Sequence, residues 1–198
     1  MKRKFILLFV SVQIICSSCF KQQLKDYNIS SDLRSPIDCN LALYHQAVSD
    51  GLKLNDSIEL IDSEGREILL RSIHTDTSSL ILIRYNSKMC STCLDLIGSY
   101  LKKDEFLFHR TVLITDEMDP SILKYYMYSR KIAARCYGSY VFSLPADFVQ
   151  EPYVLICDHN NCIHSLLFPA HLPDTIIDNY LNFLKARLVN RFCSTKYQ

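Results

Sequence analysis

Residues 79–85 read SLILIRY, and a few positions later Cys90-Ser91-Thr92-Cys93 opens the stretch CSTCLDLIGSYLKK. The first run is almost continuously apolar and branched, as expected of a β-strand covered on both faces. In the second, Cys93, Leu94, Ile97 and Leu101 recur at helical spacing. Lys102 and Lys103 follow at the end where cations suit the helix dipole. A strand buried on both sides needs a layer above and a layer below, so the chain must fold as α/β around a central sheet.

The flanking segments fit that plan. Asn40–Ser49 reads as a short helix ending at Gly51. Segments 57–61 and 67–73 alternate around Ser63-Glu64-Gly65, a hairpin pattern with glycine where positive φ is wanted. Phe106–Thr115 is expected as the next strand, and Pro120 opens a helix to about Arg130. Tyr137–Leu144 is expected to be extended. Glu151-Pro152 precedes a strand over Tyr153–Cys157, a turn at 158–161, a strand over Cys162–Phe168 and a final helix from about Asp174 to Leu188.

The chain opens MKRK, continues FILLFVSVQII and reaches Cys16-Ser17-Ser18-Cys19. A basic start and a short apolar stretch describe an export signal, whereas a spanning helix needs about 20 apolar residues. Two serines before Cys19 resemble the bacterial lipobox, which implies that Cys19 is lipidated and becomes the mature N-terminus. The expected organisation is a signal peptide over 1–18, a polar lipidated tether over 19–39 and one domain over 40–198. The expected setting is the cell envelope, facing the periplasm. With 22 basic and 21 acidic residues the chain has no electrostatic case for nucleic acid. Nine cysteines are present. Setting aside Cys16 and Cys19 leaves seven, an odd number whose pairing the sequence does not give.

A buried strand running into C-x-x-C at a helix start, then a further βα unit, a proline-initiated hairpin and a C-terminal helix, resembles the thioredoxin-like superfamily. The preceding SIELIDSEGREILLRS is similar to the N-terminal hairpin of its TlpA-type and peroxiredoxin-like branch. The resemblance spans roughly residues 52–188. It implies a three-layer α/β/α domain with a central mixed sheet and an N-terminal β-hairpin extension. It also implies that Pro152 is the family's cis-proline and that Glu151, before it, offers its backbone to substrate. Arg84 stands six residues before Cys90, where thioredoxin has a buried acid. An arginine there is expected to favour thiolate over thiol. Met89 stands where a tryptophan commonly precedes the first cysteine.

The pair's own chemistry follows from its position. Thiol–disulfide exchange needs an attacking thiolate and a second sulfur within reach to resolve the mixed disulfide. A helix N-terminus presents unpaired N–H groups and lowers a cysteine's pKa. Cys90 is therefore the expected nucleophile and Cys93, one turn inward, the resolving thiol. The expected activity is a membrane-anchored thiol–disulfide oxidoreductase acting on exported protein thiols or disulfides, with an unidentified redox donor and no cofactor.

Two alternatives stand beside it. Ser87-Lys88-Met89-Cys90 supplies the S-x-x-C half of the peroxiredoxin pattern P-x-x-x-[ST]-x-x-C, but Ile83 replaces the proline. A non-catalytic, lipid-anchored module is the other. Reading Cys90, Cys93, Cys157 and Cys162 as a zinc site suits neither the wide second pair nor its place across a hairpin, so no metal is expected. Cys157 and Cys162 flank a turn and are either a cross-strand disulfide or free thiols. The tyrosines at 125, 126, 128, 137 and 140 are either a partner surface or packing.

Overall fold

The β-branched runs of this sequence become the interior of one seven-stranded mixed sheet. The computed structural model describes residues 44–74, 79–170 and 172–194. Contacts divide the chain into two units, Met1–Ser35 and Pro36–Gln198, and every described residue belongs to the second. The expected signal peptide, Cys19, the tether and Cys39 lie outside the described residues.

The strands are β1 (Glu59–Asp62), β2 (Glu67–Leu69), β3 (Leu80–Arg84), β4 (Thr111–Thr115), β5 (Arg135–Gly138), β6 (Tyr153–Cys157) and β7 (Ile163–Leu167). They lie in the order β2-β1-β5-β4-β3-β6-β7. β3 runs parallel to β4 and β4 to β5, while β6 pairs antiparallel with β3. Every residue of β3, β4 and β6 is buried. The N-terminal hairpin forms as expected, with Gly65 at φ 80° in its turn. Beyond β7, residues 51–54 add an irregular fringe. Gly51 N–H donates to the Ile163 carbonyl at 2.7 Å, Ile163 N–H to that of Leu52 at 2.9 Å, and Leu54 N–H to that of Asn161 at 2.9 Å.

Among the described residues, five α-helical segments accompany the sheet: α1 (residues 44–49), α2 (Ser91–Leu101), α3 (Glu105–His109), α4 (Pro120–Lys124) and α5 (Asp174–Ser194). A π-helix, Tyr125–Arg130, continues α4 and stops where Lys131 turns left-handed at φ 53°. Because strand neighbours alternate faces, Ile83 and Val154 point one way and Arg84 and Tyr153 the other. Val154 meets Ile97 and Tyr100 of α2 and Ile177 and Tyr180 of α5 around a small cavity. On the Arg84 side lie Phe142 and the 3-10 helix Pro145–Val149. Its Phe148 stacks on His45 of α1 at 5.6 Å between ring centres.

Three expectations about elements need correction. Residues 105–109 are helical, because the Asp104 carboxylate accepts the Leu107 N–H at 3.2 Å and starts a turn before β4. Extended structure at the fifth strand covers 135–138 and not 139–144. There the ladder to β4 ends at Thr115, and Ser139 turns its hydroxyl onto the Glu59 carbonyl at 2.8 Å. Segment 67–73 stops being strand at Leu69 and closes as a 3-10 helix, Leu70–Ile73, which buries Leu70 and Ile73.

Candidate functional site

The connection from β3 to α2 is short and heavily tied by its own polar groups. Ser87 donates both its N–H and its hydroxyl to the Asp116 carboxylate, each at 2.9 Å. Lys88 N–H donates to the Asn86 side chain at 3.0 Å, and Met89 N–H to the Asn86 carbonyl at 2.9 Å. Met89 is buried in the core, so it anchors the loop immediately before Cys90. Asp116 follows β4, the parallel neighbour of β3, and thereby fixes the loop from the adjoining strand.

Cys90 is the N-cap of α2, with extended backbone (φ −65°, ψ 112°). It is exposed and Cys93 is half-buried. The Cys93 N–H donates to the Cys90 sulfur at 3.2 Å. Capping residues normally use a side-chain oxygen for this donor. A sulfur in that place receives an unpaired helical N–H and the positive end of the helix dipole. The two cysteines are disulfide-bonded, with Cα atoms 5.3 Å apart, within the ordinary span of such bonds. Ser91 and Thr92 are both exposed, so the pair is open to a reaction partner.

Arg84 is held by a carboxylate and two backbone carbonyls. It is buried, 5% exposed as a residue. Nε donates to both Asp147 carboxylate oxygens at 3.3 Å. One Nη reaches the carbonyls of Ile114 and Tyr85 at 3.4 and 3.5 Å, and the group lies 5.3 Å from the centre of the Phe142 ring. Its charge is thus met by Asp147, and its hydrogen bonds go to a carboxylate and carbonyls rather than to the cysteines. Asp147 also accepts the Tyr153 hydroxyl at 2.7 Å and the Leu144 N–H at 3.3 Å. Burial and the neighbouring carboxylate hold the Tyr153 phenol well above its usual pKa, so it remains a donor.

Glu151 and Pro152 are both buried at the start of β6. Arg84 and Tyr153 are register partners in antiparallel strands. The segment leaving β3 for Cys90 and the segment entering β6 through Glu151-Pro152 therefore emerge at the same end of the sheet. The cis-proline expectation is overturned, since no cis peptide bond occurs among the described residues. Gln150, two residues before Pro152, ends the 3-10 helix in a left-handed conformation at φ 58°. A trans proline at a strand start needs no ladder N–H there.

Cys136, Cys157 and Cys162 are free thiols. Register sets Cys157 opposite Ile163, not Cys162, so the hairpin does not form the cross-strand disulfide. Burial pushes the Cys157 thiol up to about 12. The tyrosines divide: Tyr137 is buried and Tyr126 half-buried, while Tyr125, Tyr128 and Tyr140 are exposed. Sequence reasoning missed Asp116, Asp147 and Tyr153. For Asp147 a signal existed, because an arginine inside an otherwise apolar buried strand requires an acid from somewhere in the chain.

No protein-family model matches the chain, and no curated protein matches it. Among solved structures, the peroxidoxin BcpB from Mycobacterium tuberculosis aligns at a TM-score of 0.51 and 17% identity, over 70% of this chain and 97% of that one. The thioredoxin domain of a thiol-disulfide oxidoreductase from Bacteroides vulgatus aligns at 0.46 and 15%, over 69% of this chain and 99% of that one. A thiol peroxidase from Chromobacterium violaceum aligns at 0.44 and 14%, over 69% and 88%. The strand order, the C-x-x-C at the head of α2 and the likeness to BcpB agree, and the chain has the thioredoxin-like α/β fold.

Proposed function

We propose that this protein is a thiol–disulfide oxidoreductase, anchored to the cell envelope through lipidated Cys19, that exchanges disulfides with exported proteins. The observation that carries the reading is Cys90: an exposed helix N-cap whose sulfur accepts the Cys93 N–H and is bonded to Cys93. In the reduced protein the same N–H and the dipole favour the Cys90 thiolate. That thiolate attacks one sulfur of a substrate disulfide, forming a mixed disulfide and expelling the other sulfur as a thiolate. The Cys93 thiolate then attacks the Cys90 sulfur and releases the second substrate thiol. Two electrons pass to the substrate and leave the Cys90–Cys93 disulfide, which an external dithiol re-reduces. Run backwards, the same steps oxidise a dithiol substrate. The backbone at Glu151, beside Pro152, is the proposed substrate contact on the neighbouring strand.

The test is Cys93→Ser. Without the resolving thiol, exported proteins should accumulate as covalent adducts on Cys90. The double variant Cys90→Ser/Cys93→Ser should trap none. Equal trapping by both, with the physiological role intact, would leave a non-catalytic envelope module as the better account. The anchor is tested separately: Cys19→Ala should abolish acylation and membrane partitioning.

A peroxidase is the second reading, favoured by the fold likeness to BcpB. In it Cys90 attacks the peroxide, giving a sulfenic acid and one hydroxyl equivalent, and Cys93 condenses with the sulfenic acid, releasing water. Consumption of hydrogen peroxide with dithiothreitol as donor, abolished by Cys90→Ser, would select this reading over the first.

A further inference from the structure

We infer that Asp147 is a positioning residue, holding the Glu151-Pro152 loop in place beside the cysteine pair; this rests on the oxidoreductase reading. The 3-10 helix Pro145–Val149 that precedes the loop is short, and such helices bond poorly within themselves. Ala146 on it is buried and Val149 packs against the core, while Phe148 is 75% exposed and touches His45 of α1 at its ring face. What ties it to both neighbouring strands through polar contacts is one carboxylate. Asp147 accepts from Arg84 at the end of β3, from the Leu144 N–H at the helix entrance and from the Tyr153 hydroxyl on β6. It thereby joins the strand that leads to Cys90, the helix that leads to Glu151 and the strand that follows Pro152.

The arrangement is costly enough to require a reason. Arg84 is buried, and a buried cation persists only with a counter-charge and further acceptors. Asp147 supplies the counter-charge, and the carbonyls of Tyr85 and Ile114 supply acceptors. Only Phe148, Val149 and Gln150 separate Asp147 from Glu151, so a shift of the carboxylate is passed to the loop through three residues. At the other end of the loop Pro152 has no N–H to give. An enzyme that docks a protein partner on this loop depends on Asp147 for docking. The reaction of Cys90 with a small reagent does not.

The test compares those two readouts. Reduced wild-type, Asp147→Asn and Arg84→Met/Asp147→Asn proteins are assayed for reduction of insulin with dithiothreitol as donor, and for alkylation by iodoacetamide. The double variant removes the buried charge with the carboxylate and keeps an apolar side chain, so it folds even where the single variant does not. Loss of positioning is expected to raise the KM for insulin roughly tenfold with kcat reduced far less. Alkylation of Cys90 should stay within about twofold. An unchanged KM, or equal losses in alkylation and turnover, overturns the inference. Should the wild-type protein not reduce insulin at all, the oxidoreductase reading falls and positioning is read by hydrogen exchange. Faster exchange of the Phe148–Glu151 amides in the double variant then supports the role of Asp147, and unchanged exchange overturns it.

Discussion

Replacing Gly138 by alanine is a severe test of how the sheet end is built. Gly138 closes β5, and its φ is not the issue; space is. A Cβ there would stand 1.9 Å from the Glu117 carbonyl oxygen, 3.0 Å from the carbonyl carbon and 3.1 Å from a methyl of Ile61. To reach ordinary van der Waals distance the Glu117 carbonyl must retreat by roughly 1.5 Å. That loop has little freedom to do so. The Glu117 carboxylate accepts the N–H groups of Met118 and Asp119 at 2.9 Å, and Asp119 caps α4 through Ser121 N–H at 2.8 Å. Overpacking of this kind costs about 1–3 kcal/mol, and each lost hydrogen bond adds about 1 kcal/mol. A total of about 4 kcal/mol lowers Tm by roughly 8–16 °C for a domain of this size. Thermal unfolding of the oxidised protein followed by circular dichroism measures it. Gly98→Ala is the control. Its Cβ would lie 3.0 Å from the Ile132 Cα and 3.3–3.4 Å from that side chain, and alanine's helix preference of about 1 kcal/mol offsets much of the crowding. A Gly138→Ala protein melting within 2 °C of wild type would refute the reasoning.

Further outcomes follow from other groups. Lys185, 2.6 Å away, and the Leu107 N–H hold the Asp104 carboxyl below its usual pKa against a smaller opposing effect of burial. Because its folded pKa lies below the unfolded value of about 3.9, its contribution is present above that pH and lost as pH falls through the folded pKa. Asp104→Asn keeps an oxygen for the helix cap and removes the charge, so Tm should fall less between about pH 6 and pH 3 than in wild type; parallel curves would refute the assignment. In the reduced protein, iodoacetamide near neutral pH should modify Cys90 before Cys93, by peptide mass mapping. Cys136 and Cys157 should resist until the protein unfolds, because burial raises both thiols; Cys157 labelling as fast as Cys90 would contradict the burial.

Local pattern carried most of the fold. The run Leu80–Arg84, the capped turn at Gly65 and the strand directly after Pro152 were readable because each is decided by period, turn chemistry or proline. The helix at 105–109 was not. FLFH is apolar enough for a strand, and the local cap from Asp104, three residues before Leu107, outweighs that pattern; Lys185 of α5 holds the same carboxylate from a distance. The cysteine pair was legible from spacing and from its position after a buried strand. The company of Arg84 was not, because Asp147 lies 63 residues away in sequence and no local rule connects them. Likewise, Gln150 turns left-handed just before Pro152, a conformation that glutamine's sequence preference does not announce.

The fringe of residues 51–54 has a consequence for how copies of the chain meet one another. An unpaired outer strand offers its N–H and C=O groups to any neighbouring molecule, and long flat ones invite association. β7 is an outer strand of five residues, but residues 51–54 already take Ile163 on both its N–H and its carbonyl. At the opposite side β2 is only three residues long and turns at once into a 3-10 helix, too brief a ladder to recruit a partner strand. Sequence from before the first strand thus caps the last one. The protection of the β7 edge is built from segments more than 100 residues apart and exists only once they have met.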